Sequence, residues 1–208
     1  MNKILTGALL LAAFGPCAFA DDVAPLSTST PTNDFGALIG GAFTFGGDEL
    51  AEYQVEYEDG DSSSENIRAG EQFYLFGGAY YRHTESAELA YGAQFNVGWF
   101  NNSISGDNGD VTLTRYPFEL IPFIEFHKFR FGLGLTLHTS IEFEDDAVYE
   151  VAVEADDASG TVFIIEYLFA DHLAVGLRVV DIEYEFGEGR YSETFDAGHT
   201  GISLAYLF

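Results

Sequence analysis

The chain has 208 residues, enough for one domain and hardly for two. Its 34 acidic and 8 basic residues give a formal net charge of −26, which excludes nucleic acid as a partner because phosphate binding needs cations. Such acidity is often a mark of disorder, but hydrophobic residues make up 47% and aromatic residues 16% of the chain, so a folded protein is expected.

The first twenty residues have the pattern of a secretory signal peptide. Lys3 supplies a basic start, and residues 4–14 form an apolar run that is too short for a permanent membrane anchor. Residues 18–20 (Ala-Phe-Ala) follow the small-x-small rule of signal peptidase, so we predict cleavage before Asp21. The alternative is a lipoprotein with a lipidated Cys17, although the proline before this cysteine fits that poorly.

Beyond the signal peptide, the sequence predicts a short leader and one domain. Residues 21–33 are rich in Ser, Thr and Pro and are predicted to be a flexible leader, and residues 34–208 form the domain. Throughout the domain the hydrophobic pattern has a period of two, typical of strands whose two faces meet different surroundings. The clearest case follows Lys128, where large apolar residues alternate with Arg130, glycines, Thr136 and His138.

Eight segments share this alternation. In chain order they are residues 35–45, 72–82, 88–99, 115–126, 128–138, 163–169, 173–179 and 202–208. The phase of the second is ambiguous, because Phe76 and Tyr80 fall on its polar face. After Val179 the seventh changes phase, which indicates either a bulge near Val180 or an exit from a membrane.

The connections between these strands alternate in length. Turns near residues 83–85, 127–128 and 171–172 are short. The loops at 47–70, 101–110, 141–160 and 187–196 are long, acidic and rich in Gly and Ser. This asymmetry is typical of outer-membrane proteins, so the predicted fold is all-β: a closed antiparallel up-and-down transmembrane β-barrel of about eight strands.

A soluble β-sandwich is the alternative fold. Its strands would also alternate, but the face turned away from its core should be broadly charged. Here the second face is mostly Gly, Ala, Ser and Thr with a few charges, which suits the narrow interior of a small barrel.

The C-terminal strand carries a family resemblance. Ile202, Leu204, Tyr206 and Phe208 share one face, and this resembles the end strand that outer-membrane barrels present to their assembly machinery, with Tyr206 and Phe208 as its signature. Together with Gly46-Gly47-Asp48 and residues 115–119 (Arg-Tyr-Pro-Phe-Glu), it makes the chain similar to small eight-stranded outer-membrane proteins of the OmpX, OmpW and OmpA-barrel type, and most of all to the outer membrane protein β-barrel group of proteobacteria.

The resemblance implies a location and partners but no activity. It implies export to the outer membrane of a Gram-negative bacterium, contact with outer-membrane lipid and lipopolysaccharide, and handling by the barrel assembly machinery. A monomer is expected. The predicted role is structural or surface-interacting, without catalysis. The alternative is a small porin-like channel for ions or small apolar molecules.

Eight ionisable residues fall on the small-residue face of the strands: Arg82, Glu88, Arg115, Glu119, Glu125, Arg130, Glu166 and Arg178. Unpaired buried charges are costly, so these groups should pair. The turn at 127–128 places Glu125 opposite Arg130, and similar registers would bring Glu166 to Arg178 and Arg82 to Glu88. We predict a salt-bridged barrel core, with a narrow charged permeation path as the alternative.

One motif suggests an enzyme. His138-Thr139-Ser140 resembles the His-x-Ser pair of PagL-type lipid A deacylases, in which a histidine could activate a serine if a carboxylate such as Glu142 oriented it. The asparagine that follows in that motif is Ile141 here, and the pair is predicted to point into the barrel, whereas that family acts on lipid outside it. Catalysis is therefore not expected.

Two acidic clusters suggest divalent cations at the loops. They are Glu56, Glu58, Asp59 and Asp61, and Glu142, Glu144, Asp145 and Asp146. Hard oxygen ligands suit calcium or magnesium, but the spacing of a calcium loop is incomplete. A solvated acidic surface is the preferred interpretation, and no metal or other cofactor is predicted.

Overall fold

The computed structural model describes residues 31–56, 62–106, 109–146, 151–169, 172–187 and 193–208. In these ranges the regular structure consists of strands: β1 (Thr32–Phe45), β2 (Glu49–Glu56), β3 (Ser62–Arg68), β4 (Gln72–Thr84), β5 (Leu89–Gly106), β6 (Gly109–Phe126), β7 (Phe129–Asp145), β8 (Val151–Ala155), β9 (Ala158–Phe169), β10 (Leu173–Asp181), β11 (Glu183–Phe186), β12 (Glu193–Asp196) and β13 (His199–Leu207). The described ranges hold no helix long and apolar enough to cross a membrane.

Eight of the strands close a barrel. The order is β1-β4-β5-β6-β7-β9-β10-β13, every neighbouring pair is antiparallel, and β13 pairs back with β1 from Leu38↔Leu207 to Phe45↔Thr200. The prediction of a closed all-β barrel of eight strands is confirmed. The first strand begins at Thr32, two residues before the expected start of the domain at residue 34.

Side chains alternate between the inside and the outside of this barrel, as a closed sheet requires. The ambiguous phase of the second predicted strand, β4, is resolved: Tyr74 and Phe76 are buried inside, and Leu75 points outward. Glycines on the neighbouring strands make room for these rings, because a Cβ on Gly40 would lie 2.4 Å from Phe76, and one on Gly98 would lie 2.2 Å from Tyr74. The interior of β4 therefore takes aromatic residues that the sequence pattern alone could not assign.

Most of the predicted long loops are strands. β5 and β6 run on to Gly106 and Gly109, where the sequence predicted a loop. The other three contain the β2–β3 hairpin, β8 and β12. Each of these extensions lies at the barrel end opposite the termini. There the buried residues, such as Ile104, Val111 and Leu113, are apolar and the outward residues are polar, so the alternation runs in the opposite phase to that of the lower barrel strands.

The predicted bulge near Val180 is wrong. Val180, Ile182 and Tyr184 continue the buried face of β10, while Asp181 and Glu183 are exposed, so the alternation is unbroken. After Val180 the outward residues change from apolar to acidic, and the buried residues become apolar. This change agrees with the other interpretation, an exit from the membrane.

The observed bulge lies in β7. Its register with β6 shifts between Thr114 and Tyr116, opposite Ser140, whose φ is 48°. The extra residue turns Ser140 outward and Ile141 into the core.

The β2–β3 hairpin and residues 69–70, which follow it, lie at the barrel end opposite the termini, and residues 67–70 of this unit pack into that end. We call this unit the hairpin cap. Ile67 and Ala69 are fully buried against the core of the barrel, and the Asn102 side chain donates a hydrogen bond to the carbonyl of Arg68 at 3.0 Å. The chain enters the cap through Gly47, whose φ of 80° favours glycine and whose Cβ would meet the Gly70 nitrogen at 2.4 Å.

Candidate functional site

The ionisable side chains of the barrel interior form two separate networks and one isolated group. The first network lies near the chain termini. Arg130 contacts Glu125 at 2.7 Å and Glu166 at 3.2 Å, and Arg82 Nε donates to the second oxygen of Glu125 at 2.6 Å. The two-residue turn at 127–128, in which His127 has a φ of 54°, sets Glu125 directly opposite Arg130. This pair is therefore formed at the register that the sequence indicated.

The second network crosses the middle of the barrel. Arg178 on β10 donates to Glu119 on β6, although these strands are not neighbours. The other oxygen of Glu119 accepts from Asn96 Nδ2 at 3.0 Å, and the Arg178 guanidinium lies 4.7 Å from the centre of the Tyr74 ring. Both charged side chains are buried, so this pair is shielded from water.

Two of the expected ion pairs are wrong. Glu166 lies opposite Gly176 on β10 and binds Arg130, and it does not bind Arg178. Glu88 is not an interior residue at all. It lies in the turn between β4 and β5, its side chain is 64% exposed, and one of its oxygens lies 3.9 Å from His127 Nε2. Arg82 therefore binds Glu125, with Asp34 at 3.8 Å.

Arg115 is the isolated group. It is 0% exposed, and within the described part of the chain none of its three side-chain nitrogens has a hydrogen-bond partner. Instead its guanidinium lies between two aromatic faces, 3.6 Å from the centre of Phe100 and 5.3 Å from that of Tyr184. The expectation of a salt-bridged core therefore fails at this position.

Two histidines that sequence reasoning did not group with Arg115 complete its surroundings. His138 and His199 are both buried, with ring centres 6.5 Å apart, and Phe100 packs edge-on against His199. The Tyr184 hydroxyl lies 2.5 Å from His138 Nδ1. Burial raises the pKa of Tyr184 to about 12, so its hydroxyl stays protonated and shares a hydrogen bond with the histidine. We call Phe100, Arg115, His138, Tyr184 and His199 the Arg115 cluster.

The structure separates the two residues of the His-x-Ser motif. His138 points into the barrel, whereas the β7 bulge turns Ser140 to the outside. The prediction that both point inward is therefore wrong for Ser140. With its Nδ1 bonded to Tyr184 and Ser140 on the opposite face, His138 is not placed to activate the serine.

The acidic clusters form no metal site in the described part of the chain. No group of three or more His, Cys, Asp or Glu side chains is arranged there to hold a metal ion. Glu144 and Asp146 are exposed, whereas Asp145 is buried. Of the first cluster, Glu58, Asp59 and Asp61 lie outside the described residues.

No known protein family and no curated protein matches the chain. Among solved structures, it is similar to Neisserial surface protein A, with 12% identity and a TM-score of 0.45 over 85% of this chain and 99% of that one. It is similar to Ail, the attachment invasion locus protein of Yersinia pestis, with 13% identity and a TM-score of 0.44 over 84% and 97%. The toluene transporter TodX of Pseudomonas putida matches with 7% identity and a TM-score of 0.24 over 85% and 67%.

The strand order itself defines the class of this fold. Eight antiparallel strands, each hydrogen-bonded to two neighbours, form a small closed barrel, and the interior holds packed side chains. The resemblance to small eight-stranded barrels is thus confirmed at the level of the fold.

Proposed function

We propose that the protein is an integral outer-membrane barrel that is closed to solutes, has no catalytic activity and presents a structured surface at its outer end. The observation that carries this proposal is the outer face of the barrel. Large apolar side chains are exposed on every barrel strand: Ile39, Leu75, Phe95, Leu120, Leu133, Phe163, Leu177 and Leu204. A continuous apolar surface of this kind is stable in lipid and would aggregate in water.

Aromatic rings at both edges of this apolar surface support the membrane placement. Phe35, which is 82% exposed, Phe126 and Phe169 mark the edge near the termini, and Trp99 and Tyr116 mark the other. Aromatic residues of outer-membrane barrels collect at the two interfaces between lipid and water. Beyond Trp99 and Tyr116 the outward residues become polar, so the cap and the strand extensions would stand outside the membrane.

Location and orientation can be tested together. The protein should fractionate with the outer membrane and migrate faster in unboiled than in boiled gel samples, because a closed barrel resists detergent. An epitope inserted between Gly106 and Gly109 should be detected on intact cells. The same epitope in the turn at 85–88 should be detected only after lysis. A soluble periplasmic product, or the reverse labelling pattern, would contradict the proposal.

The packed interior predicts that the barrel does not conduct steadily. Ion pairs fill the middle of the barrel and its end near the termini. Ile67 and Ala69 of the hairpin cap are buried at the outer end. In planar bilayers the purified protein should show at most small, irregular currents. A variant with residues 49–68 replaced by a short Gly-Ser linker should show the same small, irregular currents. The ion pairs that fill the interior lie nearer the termini than the cap does, so they remain in this variant. Steady conductance of the native protein, or sugar uptake by liposomes, would favour the channel alternative.

The outer end is strongly acidic, which limits what it can bind. Glu144, Asp146, Glu154, Asp156 and Glu185 are exposed above the apolar surface. These carboxylates favour cationic partners, and they repel lipopolysaccharide phosphates unless divalent cations lie between the two. We therefore propose that contact with lipopolysaccharide at this end depends on divalent cations.

The C-terminal residue should matter for assembly. Phe208 is 66% exposed, its ring lies 4.9 Å from that of Tyr206, and its backbone nitrogen donates to the Ala37 carbonyl at 2.9 Å. Deleting Phe208 should reduce the amount of folded barrel in the membrane, most clearly at high expression, as measured by the unboiled gel band. Phe35→Ala is the matched control, because it removes an exposed aromatic of the same edge from the adjacent strand. Equal losses in both variants would contradict a specific role for the C-terminus.

A further inference from the structure

Arg115 differs from the other buried arginines of the barrel. Arg130 and Arg178 each bind glutamates, whereas Nε, Nη1 and Nη2 of Arg115 have no partner. Phe100 and Tyr184 lie against the guanidinium, and such contacts stabilise its positive charge. However, aromatic faces do not satisfy the five N–H donors along the guanidinium edge. A buried donor without an acceptor is costly, so this edge needs an acceptor.

None of the described protein groups around Arg115 accepts a hydrogen bond from its guanidinium. His138 Nδ1 is already hydrogen-bonded to the Tyr184 hydroxyl, and neither group makes a hydrogen bond to Arg115. His199 Nδ1 lies 3.0 Å from the Ala197 carbonyl and donates to it. Of the nearby glutamates, Glu119 is already bound to Arg178 and Asn96. The other ring nitrogen of His199, Nε2, is then an acceptor, but it makes no hydrogen bond to Arg115, so among the described residues no acceptor meets the guanidinium edge.

We propose that the Arg115 cluster binds a small monovalent inorganic anion of the chloride class, held by the Arg115 edge beneath the hairpin cap. One anion of charge −1 balances the one uncompensated guanidinium, whereas a dianion such as sulfate would leave a buried negative charge. An anion accepts several hydrogen bonds at once, which suits the fork of donors on a guanidinium.

The fold also sets how this site exchanges its anion. Ile67 and Ala69 of the cap are fully buried and belong to the same core cluster as Tyr184. Gly70 packs so closely on His199 that a Cβ on it would lie 2.8 Å from the histidine Cβ. We therefore expect the anion to exchange with solvent when residues 67–70 move away from the Arg115 cluster.

Unfolding in detergent micelles tests the site. At constant ionic strength, replacing sodium gluconate by sodium chloride should raise the folded-to-unfolded ratio, and the rise should reach about tenfold once chloride is roughly ten times its dissociation constant. Arg115→Met should abolish this dependence, because the charge and the donors are gone. Arg82→Met is the matched control. It removes an arginine that is already paired with Glu125 at the other end of the barrel, so the chloride dependence should persist.

Bromide provides a direct measurement that does not need the variants to fold. Anomalous scattering from crystals grown in sodium bromide should place one ion within hydrogen-bonding distance of the Arg115 nitrogens. Equal stability of the native protein in chloride and gluconate would overturn the proposal and would indicate that ordered water alone meets the guanidinium. A chloride dependence that survives Arg115→Met, or bromide that is absent from Arg115, would overturn it as well.

Discussion

Replacing Glu119 by Gln will lower the free energy of unfolding by about 3–5 kcal/mol, which is the usual effect of breaking a buried ion pair. The substitution leaves the Arg178 guanidinium buried beside Tyr74 without its counter-charge. Arg178→Met should have a loss of the same order, because Glu119 then keeps only the bond from Asn96. The double variant should lose less than the sum of the two single variants. Urea unfolding in micelles, followed by the fluorescence of Trp99, measures all three.

Glu85→Gln is the control for this cycle. Glu85 is exposed in a turn, so its replacement should change the free energy of unfolding by less than about 0.5 kcal/mol. If Glu119→Gln were as mild as this control, water would reach the pair, and the middle of the barrel would not be dry. Additive single effects would show that Glu119 and Arg178 act independently despite their contact.

Leu133→Arg will destabilise the protein in a bilayer by about 2–4 kcal/mol, the range for a charge placed on the lipid face at mid-depth. Leu133 is the central outward residue of β7, with Phe131 and Leu135 exposed on either side of it. Unfolding in phospholipid vesicles, with intrinsic fluorescence as the signal, measures the change. A water-exposed surface would accept the arginine at almost no cost, so this variant also tests whether the outer face meets lipid.

Phe129→Arg is the matched control on the same strand and face. Phe129 lies at the start of β7, where the chain leaves the apolar surface, so the same change should cost only about 0–1 kcal/mol. Equal effects at Leu133 and Phe129 would contradict the proposed position of the membrane.

The barrel strands could be predicted from the sequence because lipid and the barrel interior impose opposite demands on alternate residues. Phe129, Phe131 and Leu133 are exposed, and Arg130 and Gly132 between them are buried, as the pattern indicates. Above the apolar surface this contrast is reversed, because buried residues such as Val111 and Leu113 are apolar and the outward residues are polar. The extensions of β5 and β6 to Gly106 and Gly109 were therefore predicted as a loop.

The interior contacts were predictable only where a tight turn fixes the register. The turn at 127–128 determines the Glu125–Arg130 pair directly. Glu119 and Arg178 lie on strands that are not neighbours, so their contact depends on how the barrel closes. The contact between Arg115 and Tyr184 was hidden for a similar reason, since Tyr184 lies on β11, which continues β10, and β10 does not neighbour the Arg115 strand β6.

The length of the β5–β6 hairpin determines how far this hairpin projects beyond the apolar surface of the barrel. Eighteen residues in each strand extend about 60 Å, or roughly 45 Å along the barrel axis at the usual tilt. An apolar band of about 25 Å leaves roughly 20 Å of paired strand outside the lipid. Because the two strands stay paired with each other as far as Gly106 and Gly109, this projection is a rigid two-stranded ribbon. A dye attached at its tip would keep a constant distance from the bilayer, and energy transfer to a labelled lipid would measure that distance.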